Sequence, residues 1–211
     1  MFKKMNLPNK ITMFRIFLVP FFVLFMCFPN ELNFAKYIAL VIYIVASITD
    51  FVDGYISRKY NMVTKFGKIM DPLADKLLVA SGFIMLTGVG IIPPIITFIM
   101  IFRDLVITTL RIFGSDEGKD VAAIMSGKIK TTFQLIGVPL AILGYALEGM
   151  TTNSINNVSF GAVIINIENM SNIQIFINLF MTITISIACL ATIVSFFDYL
   201  KKFKESIDVE K

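Results

Sequence analysis

The sequence predicts an all-α integral membrane protein with six transmembrane helices and with both termini in the cytoplasm. Of its 211 residues, 56% are hydrophobic, and the mean hydropathy is +0.79. A soluble domain has roughly 45–50% apolar residues. Six apolar runs are long enough for a membrane helix, which takes about 20 residues. The lysines and arginines lie almost entirely on one side of the layout that these runs define.

Proline and glycine mark the ends of the six predicted helices, because proline starts a helix readily and glycine ends one. The first helix ends before Pro29, the third ends at Gly88 to Gly90, and the fourth begins after Pro93 and Pro94. The predicted helices cover about 11–28, 34–58, 66–88, 94–113, 126–147 and 173–200. They form one membrane domain, 11–200, between a juxtamembrane segment, 1–10, and a basic cytoplasmic tail, 201–211.

The positive charges predict the orientation of this domain, since cytoplasmic loops carry an excess of Lys and Arg. With the N-terminus inside, 18 of the 19 Lys and Arg residues fall on the cytoplasmic side, and only Lys36 falls outside. We therefore expect a multi-pass protein of the cell membrane. Its cytoplasmic side would carry both the cations and the acidic residues described next.

Two residue types limit the chemistry. The chain has no histidine, which excludes imidazole metal ligands and histidine general bases. It has two cysteines, Cys27 and Cys189, in separate apolar runs. Buried thiols that pack as small hydrophobic groups are expected there, rather than a disulfide or a soft-metal site.

The stretch from Thr49 to Lys76, "TDFVDGYISRKYNMVTKFGKIMDPLADK", places four aspartates at the cytoplasmic ends of the second and third helices. Their spacing predicts one polar face on each helix, because residues three or four apart lie on the same side. These faces are formed by Asp50, Asp53, Gly54 and Ser57 on the second helix and by Gly67, Asp71 and Asp75 on the third. The short connection between the helices predicts that the two faces meet.

Four neighbouring carboxylates repel one another, and a bound divalent cation would resolve the repulsion. Because the ligands are all oxygens, a hard ion such as Mg²⁺ or Mn²⁺ fits best. Gly54 and Gly67 would let a ligand or a helix approach closely, and Arg58 would reach phosphate oxygens. Two alternatives are salt bridges from the acids to Arg58, Lys68 and Lys76, and a cation or proton pathway, which usually has its acids at mid-membrane.

These residues resemble the signature of the CDP-alcohol phosphotransferases, D-x2-D-G-x2-A-R-x8-G-x3-D-x3-D, with Ser57 in place of the alanine. The resemblance implies a homodimeric enzyme that binds a CDP-linked lipid, passes its phosphatidyl group to an alcohol and releases CMP. It implies two divalent ions held by Asp50, Asp53, Asp71 and, in part, Asp75, with Asp75 as the candidate general base. It further implies CDP-lipid contacts from Gly54, Ser57, Arg58, Gly67, Asn9 and Thr12.

Cations beyond the aspartates suit an acceptor alcohol that itself carries a phosphate. Candidates at the cytoplasmic ends of the fourth and fifth helices are Arg103, Arg111, Lys128 and Lys130. With the start "NLPNKIT", these stretches resemble the family members that use sn-glycerol 3-phosphate, although Asp104 and Thr109 replace a usual glutamate and glycine. Inositol phosphate, serine and phosphatidylglycerol remain alternative acceptors. A cation-binding transporter subunit is the alternative outside this enzyme class.

Overall fold

The computed structural model describes residues 6–28, 33–60, 65–116, 125–147 and 171–208. An all-α fold is confirmed, since these ranges form six helices in the predicted order. The helices are α1 (Leu7–Met26), α2 (Asn33–Lys59), α3 (Lys65–Gly88), α4 (Pro94–Asp116), α5 (Met125–Ala146) and α6 (Asn172–Asp208).

Two helix ends differ clearly from the prediction. The first helix begins at Leu7 rather than near Ile11, with Pro8 in its first turn, where the missing N–H of proline costs no hydrogen bond. The last helix continues through Asp208, so the segment after Leu200 that was expected as a separate tail extends α6. The polar residues after Leu200 signalled the end of the apolar run but not the end of the helix.

Four of the six helices are long and apolar enough to cross a membrane by themselves: α1, α2, α5 and α6. The other two carry more charge. Every 18-residue stretch of α3 contains Asp71, Asp75 and Lys76, and every such stretch of α4 contains Arg103, Asp104 and Arg111. The chain is a membrane protein in which α3 and α4, with at least three charges in every such stretch, pack against more apolar helices.

The helices form an up-and-down bundle. The first helix packs against α2 and α3, and α5 packs against α6 and α2, while α4 lies on α6 and α3. At one end of the bundle, Arg15 of α1 contacts Asp50 of α2, and Ser126 at the start of α5 contacts Asp198 of α6. We call this the charged end of the bundle.

The opposite end has its own polar contacts. The Lys36 ammonium lies 4.5 Å from the centre of the Tyr145 ring, which joins the start of α2 to the end of α5. The Thr87 and Thr97 hydroxyls lie 2.5 Å apart and join α3 to α4. Lys36, the one cation predicted outside, is buried.

Between the two ends lies an apolar core. The fully buried side chains include Phe22 of α1, Tyr43 of α2, Leu86 of α3 and Val138 of α5. Gly82 lets three of these helices approach closely, because a Cβ there would lie 2.8 Å from Val138 Cγ1 and 3.0 Å from the Tyr43 ring. Large apolar side chains also cover the outer surface, as expected for contact with lipid; they include Phe17, Phe51, Phe98 and Phe197.

Candidate active site

The four aspartates of the signature lie at the charged end of the bundle, as predicted. Asp53 is buried on α2, whereas Asp50, Asp71 and Asp75 are each partly exposed. Partial exposure leaves carboxylate oxygens accessible from outside the bundle. The site is therefore open to a ligand at the end of the helices rather than enclosed in the core.

An arginine of α1 pairs with the two aspartates of α2. One terminal nitrogen of Arg15, Nη1, donates to Asp50 Oδ1 at 2.5 Å. The other, Nη2, donates to Asp53 Oδ2 at 2.6 Å. Arg15 is fully buried, so each ion pair joins α1 to α2 through a desolvated guanidinium. Charge-assisted bonds of this kind are shorter and stronger than neutral ones.

A threonine one helical turn earlier joins α1 to α3. The Thr12 hydroxyl lies 2.7 Å from Asp71 Oδ1 and 3.3 Å from Asp53 Oδ2, and it is also 3.2 Å from the Pro8 carbonyl. Thr12 is fully buried. One hydroxyl thus contacts a carboxylate from each of the two signature helices.

The faces of α2 and α3 meet largely through α1. The two helices touch each other only lightly, while α1 packs extensively on both. Thr12 of α1 contacts a carboxylate of each helix, and Arg15 of α1 pairs with the two carboxylates of α2. Because α1 precedes the signature in the chain, the spacing within the signature could not show this arrangement.

The donor set fits a hard divalent cation, because it consists of carboxylate oxygens with a hydroxyl beside them. Within the ranges that the structure describes, no three acidic side chains are arranged closely enough to hold a metal ion. Arg15 and Thr12 occupy oxygens of Asp50, Asp53 and Asp71 in this arrangement. Binding an ion would therefore require these oxygens to exchange partners.

The residues expected on the CDP-lipid side lie around the aspartates. Asn9 and Gly67 are buried, and Gly54 is partly buried on the same helix face as Asp50. Ser57 and Arg58 continue α2 past Gly54, but their side chains lie outside the described part of the structure. Asn9, on the first turn of α1 with Thr12 one turn later, adds an amide to this region.

A second polar cluster joins α4, α5 and α6. Arg103 Nη1 donates to Asp104 Oδ1 at 3.1 Å, and the Lys130 ammonium donates to the same oxygen. Arg103 Nη2 also donates to the Ser195 hydroxyl of α6. Arg103 and Lys130 are buried. We call Arg103, Asp104, Lys130 and Ser195 the basic cluster.

Two further residues of α6 support the basic cluster. The Tyr199 ring centre lies 5.6 Å from the Arg103 guanidinium carbon, within the range of a cation–π contact. One turn before Tyr199, Ser195 carries the hydroxyl that accepts from Arg103. The Ser126 hydroxyl donates to Asp198 at 3.0 Å and fastens the start of α5 to the same part of α6.

The four predicted acceptor cations do not all lie together. The structure brings Arg103 and Lys130 onto one carboxylate, whereas Lys128 is exposed on α5. Lys128 and Lys130 are two residues apart and so point to different sides of the helix. Arg111 lies two turns beyond Asp104 on α4, and its side chain lies outside the described residues.

The aspartates and the basic cluster interact electrostatically. Asp75 is repelled by the like charges of Asp50 and of Asp104 in the basic cluster, and it is attracted by Lys76. Asp75 therefore lies within electrostatic range of carboxylates in both groups.

Sequence reasoning missed the roles of Arg15 and Ser195. Arg15 left a usable signal, because an arginine inside the first apolar run needs a partner in the membrane interior. Ser195 left none, since small hydroxyl residues are common in apolar helices and bond to their own backbone. Arg103 and Ser195 are 92 residues apart, so no local sequence pattern relates them.

Comparisons with known proteins agree with the signature. A sequence model described as CDP-alcohol phosphatidyltransferase matches residues 5–184. A Bacillus subtilis (strain 168) protein named CDP-diacylglycerol--glycerol-3-phosphate 3-phosphatidyltransferase is 43% identical over 148 residues, covering 65% of this chain and 77% of that protein. A Rickettsia bellii (strain RML369-C) protein of the same name is 35% identical over 178 residues, covering 84% and 90%.

An Escherichia coli (strain K12) protein of that name is 37% identical over 139 residues, covering 63% of this chain and 74% of that protein. The family match includes α1 to α5 and the first part of α6. It thus contains both the four signature aspartates and the α1 residues that hold them. The chain belongs to the CDP-alcohol phosphatidyltransferase family.

Proposed function

We propose that this protein transfers the phosphatidyl group of CDP-diacylglycerol to sn-glycerol 3-phosphate and releases CMP. The observation that carries the proposal is that Thr12 joins Asp53 and Asp71 of the two signature helices at the charged end, while a second cluster has two buried cations. The names of the relatives, which specify this donor and this acceptor, support it. The product would be phosphatidylglycerophosphate, an intermediate of phospholipid synthesis.

The aspartates would form the donor side of the site. We propose that Asp50, Asp53, Asp71 and Asp75 hold two divalent ions, Mg²⁺ or Mn²⁺. When bound, such ions neutralise diphosphate charge and stabilise the attacking and leaving oxygens of a phosphoryl transfer. Arg58 and the backbone at Gly54 and Gly67 would contact the CDP group, with Ser57, Asn9 and Thr12 as further contacts.

Asp75 would act as the general base. Its carboxylate accepts the proton of the acceptor hydroxyl as that oxygen attacks the phosphorus of the phosphatidyl group, and the bond from this phosphorus to the CMP oxygen breaks. A carboxylate is suited to this step when it lies within hydrogen-bond reach of the hydroxyl. The family resemblance, which implies that Asp75 is the candidate general base, supports this choice among the four aspartates.

The basic cluster would bind the phosphate of the acceptor. Arg103 and Lys130 carry two positive charges and share the single carboxylate of Asp104, so the cluster keeps a net positive charge. That charge would attract the phosphate of an alcohol such as glycerol 3-phosphate, whereas serine carries no phosphate group. Arg111 and Lys128 would add to the positive potential at the entrance.

We further propose that the charged end faces the cytoplasm, where soluble glycerol 3-phosphate is available. The support is the one-sided distribution of the 19 Lys and Arg residues. The buried Lys36 does not weaken it, because a cation enclosed by protein is not a loop charge. We also expect a homodimer, as the family resemblance implies.

Purified protein in detergent micelles tests the reaction directly. With CDP-diacylglycerol, Mg²⁺ and sn-glycerol 3-phosphate, we expect CMP release and a lipid product that carries two phosphates. Asp75→Asn is the matched control, since it removes the base and keeps the size of the side chain. Inositol phosphate, serine and phosphatidylglycerol serve as competing acceptors. Faster CMP release with one of them would overturn the choice of acceptor, and absence of CMP release with all four would overturn the proposed reaction.

A further inference from the structure

Arg15 is the largest fully buried side chain of the described structure, and it is charged. Its only hydrogen bonds in the described residues go to Asp50 and Asp53, and its Nε is buried without a partner. The guanidinium is thus held by the carboxylates rather than by the backbone of α1 or by other polar groups. This arrangement needs an explanation, because a buried charge is costly unless it is well paired.

We propose that Arg15 is an internal countercharge that holds the aspartate cluster together when no divalent ion is bound, and that it competes with that ion for the carboxylate oxygens. The inference rests on the proposed function, since it assumes that the aspartates bind a divalent ion. It assigns a positioning role to a residue of α1, outside the signature.

Without a bound ion, the aspartate cluster concentrates negative charge. Asp50 and Asp53 lie one turn apart on α2, and the partly buried carboxylates of α3 face the same region. Without a cation between them, these groups would repel one another and push the helices apart. Arg15 places a permanent positive charge between two of them, because a guanidinium stays protonated in proteins.

Arg15 bonds the carboxylate oxygens that a divalent ion would need. Asp53 Oδ2 accepts from Arg15 Nη2 at 2.6 Å and lies 3.3 Å from the Thr12 hydroxyl. Asp50 Oδ1 accepts from Arg15 Nη1 at 2.5 Å. An ion that binds these oxygens must weaken or replace both ion pairs. Arg15 therefore lowers the affinity for the ion while it stabilises the empty site.

The competing view is that Arg15 preorganises the carboxylates and so strengthens metal binding. The two views predict opposite changes when Arg15 is replaced. Competition predicts tighter metal binding in the variant, and preorganisation predicts weaker binding. The sign of the change in affinity therefore decides between them.

Mn²⁺ binding to the purified protein, followed by electron paramagnetic resonance without substrate, measures this affinity independently of activity. For Arg15→Gln, we expect the dissociation constant for Mn²⁺ to fall by about ten- to a hundredfold, the range of a charge-assisted hydrogen bond. Lys36→Gln is the matched control, because Lys36 is a buried cation at the opposite end of the bundle. Its Mn²⁺ affinity should equal that of the unsubstituted protein.

Thermal unfolding in the same detergent gives a second readout. In EDTA, Arg15→Gln should unfold at a lower temperature than the unsubstituted protein, and saturating Mn²⁺ should recover most of the difference. Lys36→Gln should show no such recovery. Arg15→Lys is the second variant and is measured in the same way if Arg15→Gln does not fold. A lysine keeps the positive charge but lacks the two terminal nitrogens of the guanidinium. The dissociation constant for Mn²⁺ should therefore fall by a smaller factor than in Arg15→Gln.

Unchanged or weaker Mn²⁺ binding in the Arg15 variants would overturn the inference and leave the proposed reaction intact. An unsubstituted protein that binds no Mn²⁺ and no Mg²⁺ would overturn both the inference and the metal assignment. Tighter binding in the Arg15 variants, with Lys36→Gln unchanged, would support the inference.

Discussion

The Thr12 hydroxyl of α1 donates a hydrogen bond of 2.7 Å to Asp71 Oδ1 of α3. The two residues are 59 positions apart in the chain. The same hydroxyl lies 3.3 Å from Asp53 of α2, so a single side chain of the first helix contacts both halves of the signature. The first helix is thereby part of the site and not only a membrane anchor.

Replacing Thr12 by valine should lower kcat/KM for CMP release by about ten- to a hundredfold, because a hydrogen bond to a charged group contributes roughly 1.5–3 kcal/mol. Valine keeps the shape of threonine but cannot donate. Thr12→Ser should restore most of the rate, since it retains the hydroxyl. Thr182→Val on α6 is the control, because that hydroxyl donates to the Asn178 carbonyl of its own helix. Equal losses at positions 12 and 182 would contradict the assignment.

Substitution of the aspartates tests the proposed metal ligands. Asp50→Asn, Asp53→Asn and Asp71→Asn should each remove nearly all CMP release, because each takes away a charged oxygen ligand and leaves Arg15 or Thr12 with a poorer acceptor.

Metal removal tests the same assignment. Excess EDTA should abolish the activity of the unsubstituted protein, and Mg²⁺ or Mn²⁺ should restore it. Full activity in EDTA, or a wild-type rate in any of the three variants, would refute the corresponding assignment.

The basic cluster makes a separate prediction about the acceptor. Lys130→Met should raise the KM for sn-glycerol 3-phosphate by about ten- to a hundredfold, as expected for the loss of a charge-assisted bond. The KM for CDP-diacylglycerol should change much less. Lys128→Ala should have a smaller effect in the same direction, because this lysine is exposed to solvent that screens its charge.

Lys201→Ala, an exposed cation at the end of α6, is the control for general surface charge. Ser195→Ala should mimic the Lys130 variant more weakly, since it removes a hydroxyl that orients Arg103. If the Lys130 variant raised both KM values equally, the cluster would serve the fold rather than the acceptor.

The packing of α3 makes a prediction about stability. Gly82→Ala should destabilise the protein by about 1–3 kcal/mol, the usual cost of overpacking a core. Its Cβ would lie 2.8 Å from Val138 Cγ1. Gly88→Ala on the same helix is the matched control, because no atom lies within 4 Å of its added Cβ. Thermal unfolding in detergent compares the two, and equal melting temperatures would show that α3 and α5 pack less closely than described.

Cysteine labelling tests the proposed orientation. In a background with Cys27 and Cys189 replaced by serine, Met125→Cys lies at the charged end and is exposed. Gly88→Cys lies exposed at the other end of the bundle. In intact cells a membrane-impermeant maleimide should label position 88 and not position 125. The reverse pattern would place the aspartates on the outer side.

Much of this architecture follows from local sequence. The six helices could be predicted because an apolar run of suitable length has little alternative to helix in a bilayer, where each backbone polar group must be bonded within the segment. The faces that carry Asp50 with Asp53 and Asp71 with Asp75 follow from helical periodicity alone. The placement of most cations and of the signature acids on one side follows from the order of the helices and loops.

Only the tertiary structure decided which helix meets which face. Periodicity defines the side of a helix that a residue occupies but not the neighbour against which that side packs. Thr12 contacts carboxylates of both α2 and α3, and Arg15 pairs with those of α2. These contacts, and the sharing of Asp104 by Arg103 and Lys130, depend on packing between segments far apart in the chain. Such contacts form because buried charges and hydroxyls must find partners in a membrane interior, and the available partners are set by the whole bundle.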